Sequence, residues 1–382
     1  MAAVRRGASQ RSVARTYGVG LATVQRWLAR AADNRLDRVD WSDRPDTPHR
    51  TTRTDTAVEE VVLRLRWELR EASVLGEYGA RAIRAALLEQ GDRPGPVPSL
   101  RTIGRILERH DVLDRRRRRR PAPPAGWYLP DLRERRVELD SFDTIEGLRL
   151  RDGPDITVLT GVSLHGGLVA AWPERSVTVH STIDALVGHW REVGLPGYAQ
   201  FDNDGRFVGS STRPDAIGSV VRACLALGVT PVFAPPRESG FQAAIESFNG
   251  RWQAKLWNRF ADGTLDDLQA RSATYVAASR RRAALRIEAA PVRRPLPSDS
   301  HLDLERPPIG RLVFLRRTTD AGLATVLGHR LPVDQHWLHR LVRAEVDLDR
   351  GRLRFYALRR RDPDDQPLIS EIAYDPPIRW YL

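Results

Sequence analysis

Two stretches of the chain carry acids where packing alone would not put them. Tyr198-Ala199-Gln200-Phe201 reads as a short apolar strand, and Asp202 follows it directly, opening an Asn203-Asp204-Gly205 turn, so its carboxylate projects from a strand end. Glu246 lies within Ala243-Ala244-Ile245-Glu246-Ser247-Phe248-Asn249, a helix-like run in which exposure is not assured. Acids placed this way are costly unless they are paired or hold a cation. A third candidate lies upstream, where Val137-Glu138-Leu139-Asp140-Ser141-Phe142-Asp143 alternates like a strand, Val137 and Leu139 on one face, Glu138 and Asp140 on the other. Phosphoryl transfer by two divalent ions needs such convergent carboxylates, because hard Mg²⁺ takes oxygen ligands. Asp140, Asp202 and Glu246 supply that set as catalytic and metal ligands, for Mg²⁺ or, as a substitute, Mn²⁺. Asp143 competes with Asp140 for the first place; a regular strand would point it to the opposite face, and Asp140 is the preferred reading.

Other polar residues nearby have plainer roles. Asp204 and Gly205 are good turn formers, and Asn203 and Arg206 either shape the turn or touch substrate. Pro235 to Gly240 reads as a loop entering the Glu246 helix; its Glu238 is a competing acid on a poor platform for a fixed ligand. His165, His180 and His189 lack the spacing of a zinc site, and no GxxxxGK[ST] run cradles phosphates, so ATP use is not supported.

The elements that must position the acids follow from periodicity. Strands are expected at 137–142, 155–163 and 167–171, a helix at 181–193, a strand at 198–201, a helix near 217–227 and a strand at 230–233. This makes a mixed α/β sheet with acids at strand ends, where the sites of open sheets lie. The Arg-rich segment 265–288 is helical, with no assigned chemistry. After a Pro-rich break at 291–308, short strands at 311–316, 324–327, 329–331, 341–348 and 352–358, separated by turn signals, read as a small β-barrel.

The first third of the chain is helical and basic. Ser9 to Ala31 reads as a helix-turn-helix with Val13, Ala14, Val24, Trp27 and Leu28 inward and Thr23, Gln25 and Arg26 outward, residue types that reach base edges and phosphates. A small helical pair with solvated faces is the plainer reading. A second such unit spans 57–72, 79–90 and 99–110; its last helix buries Leu100, Ile103, Ile106 and Leu107 and leaves Arg101, Thr102, Arg105 and Arg109 for DNA. Arg115 to Arg120, beginning Arg115-Arg116-Arg117, is an unbroken arginine run that serves as a solvated linker and as salt-sensitive, sequence-blind phosphate contact.

At Glu138-Leu139-Asp140, Phe201-Asp202-Asn203-Asp204-Gly205-Arg206-Phe207, and Pro235-Pro236 followed by Gln242 to Asn249, the chain resembles the DDE transposases of the retroviral-integrase class, bacterial insertion-sequence type. The resemblance implies an RNase-H-like fold for about 132–285, Mg²⁺-dependent cleavage and strand transfer of DNA at mobile-element ends and target, and a homo-oligomer assembled on DNA. The flanks are similar to that family too, whose members often end in a barrel that meets DNA or a neighbouring subunit. Basic residues that the family carries after its glutamate correspond here to Gly250 and Gln253.

Composition bounds the rest. The chain has 382 residues, 41% of them hydrophobic and 29% charged, with net charge +12 and one cysteine, Cys224. That suffices for several cores, suits a polyanionic partner, and leaves no internal disulfide. No apolar stretch has membrane-spanning length and no signal peptide is read, so a cytoplasmic protein without a membrane partner is expected. The expected layout is multidomain: 1–54 helix-turn-helix and linker, 55–130 a second helix-turn-helix unit and Arg/Pro-rich linker, 131–290 an RNase-H-like α/β core, 291–382 linker and small β-barrel. The expected function is a DNA transposase. A DNA-binding regulator on an inactive integrase-like scaffold is the alternative, and an RNase H would leave the helical units idle.

Overall fold

A computed structural model describes all residues except 33, 43–53, 91–93, 114–124, 152, 210–213, 239, 261, 301 and 375–382. Arg115, Arg116 and Arg117, with the rest of the arginine run, lie outside the described residues. The chain divides into two compact units, Met1–Asp55 and Thr56–Leu382.

The first unit holds α1 (Ala2–Arg5), α2 (Gln10–Thr16) and α3 (Leu21–Ala31). Ser9 caps α2, its hydroxyl accepting the Ser12 N–H at 3.1 Å, and Gly18, at φ +62°, turns the chain toward α3. Val13, Ala14 and Val24 are buried, while Gln25 and Arg26 are exposed and Thr23 half-buried. Trp27, expected in this core, is instead exposed and meets Trp41 edge-on at 6.4 Å. A core of three small side chains has no room for an indole.

The second unit begins with α4 (Thr56–Ala72), α5 (Ala80–Glu89) and α6 (Leu100–Arg109). Ile103, Ile106 and Leu107 of α6 pack against Val62, Leu65, Ile83 and Leu87; Leu100, expected inside, lies exposed in the first turn. Arg101 and Arg105 are exposed, whereas Arg109 pairs with the buried Glu59. These helices do not float free, because Arg259 donates to the carbonyls of Arg70 (3.0 Å) and Ser73 (3.4 Å), and Arg282 pairs with Glu77 at 2.7 Å.

The remaining elements are α7 (Pro130–Arg133), β1 (Leu139–Arg149), β2 (Asp155–Ser163), β3 (Val169–Glu174), α8 (Val179–Val193), β4 (Tyr198–Phe201), α9 (Gly205–Val208), α10 (Ser219–Ala226), β5 (Thr230–Phe233), α11 (Ala243–Lys255), α12 (Leu265–Arg282) and α13 (Ala284–Glu288), then β6 (Arg311–Arg317), β7 (Leu323–Val326), β8 (His329–Pro332), β9 (Leu341–Asp347), β10 (Arg352–Ala357) and β11 (Leu368–Ala373). The fold is mixed α/β. One sheet runs β11-β10-β9-β6-β5-β4-β1-β2-β3, and β7-β8 form a separate ribbon. β1, β4, β5 and β6 are parallel in succession, flanked by antiparallel strands on both sides.

The C-terminal strands therefore do not stand apart as a small barrel; they extend the central sheet. A row of aromatic rings accounts for this. Phe142, Phe201, Phe233 and Phe314 lie at one level of β1, β4, β5 and β6, with successive centroids 5.7, 6.3 and 4.9 Å apart. All four are buried, so separating β6 from β5 would expose two of them, at about 1.5–3 kcal/mol per side chain.

The sheet buries both faces. Phe142, Phe201 and Leu159 face α8 and α10, while Ile145, Val158 and Val162 face Ile245, Phe248 and Trp252 of α11 and Leu268 and Tyr275 of α12. Cys224 is fully buried on α10, as its apolar surroundings predict. No helix among the described residues is long and apolar enough to cross a membrane.

Candidate functional site

β1 stays regular through Ile145, so Asp140 and Asp143, three residues apart, leave opposite faces of the sheet. The structure does not bring Asp140 to the other two acids. Its side chain is 2% exposed and accepts from the Trp190 indole N–H at 3.0 Å on the α8 side, while Arg293 clasps it with both terminal nitrogens, Nη1 to Oδ2 at 3.0 Å and Nη2 to Oδ1 at 2.5 Å. Burial opposes the charge on Arg293, but the pull and hydrogen bonds of Asp140 outweigh it and raise its pKa. With both oxygens engaged on the α8 side, Asp140 faces away from the α11 side where Glu246 lies, which corrects the expectation that it converges with the other two acids. Glu138, on the same face in sequence, is spent likewise: it accepts the N–H groups of Leu139, His165 and Gly166 and fixes the β2–β3 turn.

Asp143 points to the α11 face. Thr144 N–H donates to its Oδ1 at 2.8 Å and the Asn249 amide to its Oδ2 at 2.8 Å. Asn249 is held in turn by Thr160, whose hydroxyl donates to its Oδ1 at 2.8 Å and whose position directly opposite Asp143 on β2 comes from strand register. Asn249 lies one helical turn past Glu246, so the same stripe of α11 presents the glutamate and the residue orienting Asp143.

Asp202 follows β4, and Asp204 N–H donates to its Oδ1 at 2.9 Å. Arg206 is bound to Asp204 at 2.9 Å and to Glu146, and serves the turn. Asn203 ties β4 to its neighbours, donating to the Ala234 carbonyl at 2.7 Å and accepting from Arg316 at 2.8 Å. Asp202 and Glu246 line one cleft of about 570 Å³ with Pro235, Glu238 and Gln242.

The carboxyl of Asp143 is pushed up to about 6, first by burial, with the charges of Asp202 and Glu246 adding to the effect. Burial raises Asp202 as well. The charges of Asp202 and Glu246 thus both bear on Asp143; among the described residues no three His, Cys, Asp or Glu side chains stand close enough to hold an ion between them. Sequence reasoning missed Asn249 altogether. The only signal for it is a polar residue at a buried position of a helix, one turn after an acid.

A pH dependence follows. With the folded value raised above the unfolded one, the folded chain holds the Asp143 proton more tightly, so that contribution to stability is present below about pH 4 and is lost as pH rises through about 6. The loss is on the order of 2–3 kcal/mol before allowance for partial exposure. In chelator, urea unfolding of Asp143→Asn is expected to match wild type near pH 4 and to exceed it in stability at pH 7.5. Parallel curves for the two proteins would contradict this.

No family model and no curated protein matches the chain. Among solved structures it is similar to the catalytic core domain of BIV integrase (15% identity, 37% of this chain and 81% of that one, TM-score 0.29). It is similar also to a chain of the simian T-cell lymphotropic virus intasome in complex with PP2A regulatory subunit B56 gamma (14%, 68% and 84%, TM-score 0.33) and to the HTLV-2 integrase catalytic core domain in complex with magnesium (14%, 40% and 85%, TM-score 0.27).

Proposed function

We propose that the chain is a DNA transposase that cuts and joins strands through Asp143, Asp202 and Glu246. The observation that carries this reading is that Asp202, at the end of β4, and Glu246, on α11, line one open cleft and that the charges of both bear on Asp143 of β1. Their chemistry suits divalent Mg²⁺ or Mn²⁺: every donor is a carboxylate oxygen, and burial leaves Asp143 in want of a proton or a cation. Bound there, such ions would activate a water or 3′-hydroxyl and offset charge on the phosphate under attack.

The chain's own residues do the rest. Thr160 and Asn249 fix the orientation of Asp143, so that little reordering accompanies substrate entry. The Asp202 turn is braced by the Asp204 N–H, and Asn203 holds the strand end between β5 and β6. Gln25 and Arg26 on α3, beside the half-buried Thr23, and Arg101 and Arg105 on α6, are open to read the ends of a mobile element. Arg115, Arg116 and Arg117 would add phosphate contacts, and a homo-oligomer would hold two ends together.

The test is a nicking and joining assay with candidate element ends, with and without Mg²⁺. Strand cleavage that needs the ion and the cognate end is the expected result. Binding to DNA with no Mg²⁺-dependent cleavage would turn the assignment toward the regulator on an inactive scaffold.

A further inference from the structure

Beside the acidic cleft lies a cavity of opposite character. It measures about 400 Å³, and Arg317, Arg340, Arg359, Arg360 and Arg361 line it around Trp337, with no acid in its wall. The guanidinium groups of Arg340 and Arg359 lie over the Trp337 ring at 4.7 and 5.4 Å. Arg359 also pairs with Asp365. So many fixed cations converging on one hollow repel each other unless an anion joins them.

Glu238 is the anion that reaches this group from the cleft side. Its carboxylate pairs with Arg317 and lies 3.5 Å from Arg360, and the hydrogen bond from Arg317 holds its pKa below the usual carboxylate range. The same residue lines the cleft that contains Asp202 and Glu246. It therefore stands on the border between the two. The segment that carries it joins β5 to α11 with two left-handed residues, Arg237 at φ +60° and Gly240 at φ +90°. A non-glycine residue in that region persists only where surrounding contacts impose it. Arg360 further stacks on Phe241 at 5.1 Å, three residues past Glu238 and two before the start of α11.

A phosphodiester strand approaching three carboxylates meets strong repulsion unless cations flank its path. Arg237 lines the cleft itself, and Arg317 and Arg360 reach its edge through Glu238, whose two oxygens engage both, as a phosphate would.

We propose that the arginine hollow around Trp337 docks the backbone phosphates of nucleic acid entering the cleft, and that Glu238 fills this place in the free chain. Phosphate binding then displaces Glu238 from Arg317 and Arg360. This rests on the reading of the cleft as a DNA-processing site only for the identity of the polyanion.

The test measures binding of a DNA duplex at several salt concentrations in chelator, and of inorganic pyrophosphate by calorimetry, for wild type, Glu238→Gln, Arg317→Gln and Arg360→Gln. Glu238→Gln is expected to bind both about three- to tenfold more tightly, since the competing carboxylate is gone. Arg317→Gln and Arg360→Gln are expected to bind both more weakly and to flatten the salt dependence on DNA by roughly 0.9 for each phosphate no longer neutralised. Thermal melts establish that each variant folds; the three side chains are all partly exposed and sit outside the apolar core. Affinities of Glu238→Gln and Arg317→Gln within twofold of wild type for both ligands would overturn the proposal. So would a gain in Glu238→Gln with Arg317→Gln unchanged. If wild type fails to cut DNA but the pyrophosphate pattern holds, the docking site stands and the transposase assignment falls.

Discussion

Asp143→Asn is expected to abolish Mg²⁺-dependent nicking, by about a thousandfold or more, while the protein stays folded and binds DNA as before. The substitution keeps the shape of the side chain and one acceptor oxygen for the Thr144 N–H, gives up the bond accepted from the Asn249 amide, and removes the charge that a divalent cation requires. Losing several kcal/mol of charge stabilisation on a phosphoryl transition state corresponds to roughly that factor. Asp140→Asn provides the control. It keeps a side chain that can face Trp190 and Arg293 and lies on the opposite face of β1, so its folded fraction should retain cleavage. Nicking by Asp143→Asn near the wild-type rate, or its loss in well-folded Asp140→Asn, would return the first acid to Asp140. Because the same Asp143→Asn change relieves a buried carboxyl, activity and metal-free stability should move in opposite directions at neutral pH.

The choice between these two aspartates marks how far the sequence could be read. The alternation from Val137 to Asp143 correctly put them on opposite faces, and β2, β4 and β5 fall where periodicity placed them. Which face faces the cleft is a tertiary matter. It depends on where α11 packs, fixed by Ile245, Phe248 and Trp252 meeting Ile145, Val158 and Val162 from strands a hundred residues away. It depends equally on Arg293, which satisfies Asp140 across 153 positions of chain that no local pattern reports. β1 also runs past its expected end at Phe142, through a bulge between Ile145 and Leu148 that takes in Gly147 at φ +72°. The missing barrel has a similar cause. Short strands with tight turns look alike whether they close on themselves or extend a neighbouring sheet, and the deciding contact, Phe314 on Phe233, is long-range. β11 escaped notice because Leu368 to Ala373 puts one polar residue, Ser370 or Glu371, on each face, so that apolar and polar positions do not alternate, and none of its residues is fully buried.

Arg293→Met is expected to cost about 3–5 kcal/mol of stability, the largest stability loss of any single change discussed. The arginine itself is not worth that much as a bond. The cost arises because Asp140 would remain charged, with a side chain 2% exposed, holding only the Trp190 indole N–H. Two elements would loosen together, since Arg293 also donates to the Gly194 carbonyl at 3.0 Å, and its neighbour Arg294 bridges to Leu195, fastening the segment after α13 to the end of α8. The double variant Asp140→Leu with Arg293→Met separates the two contributions. Removing both charges eliminates the unpaired carboxylate, so it should recover most of the loss, and the coupling in the double-mutant cycle should be about 2 kcal/mol or more. Urea denaturation of the four proteins at pH 7.5 measures this. An Arg293→Met variant within about 1 kcal/mol of wild type would mean that Asp140 finds water or another donor, and the reason for excluding it from the cleft would lose its force.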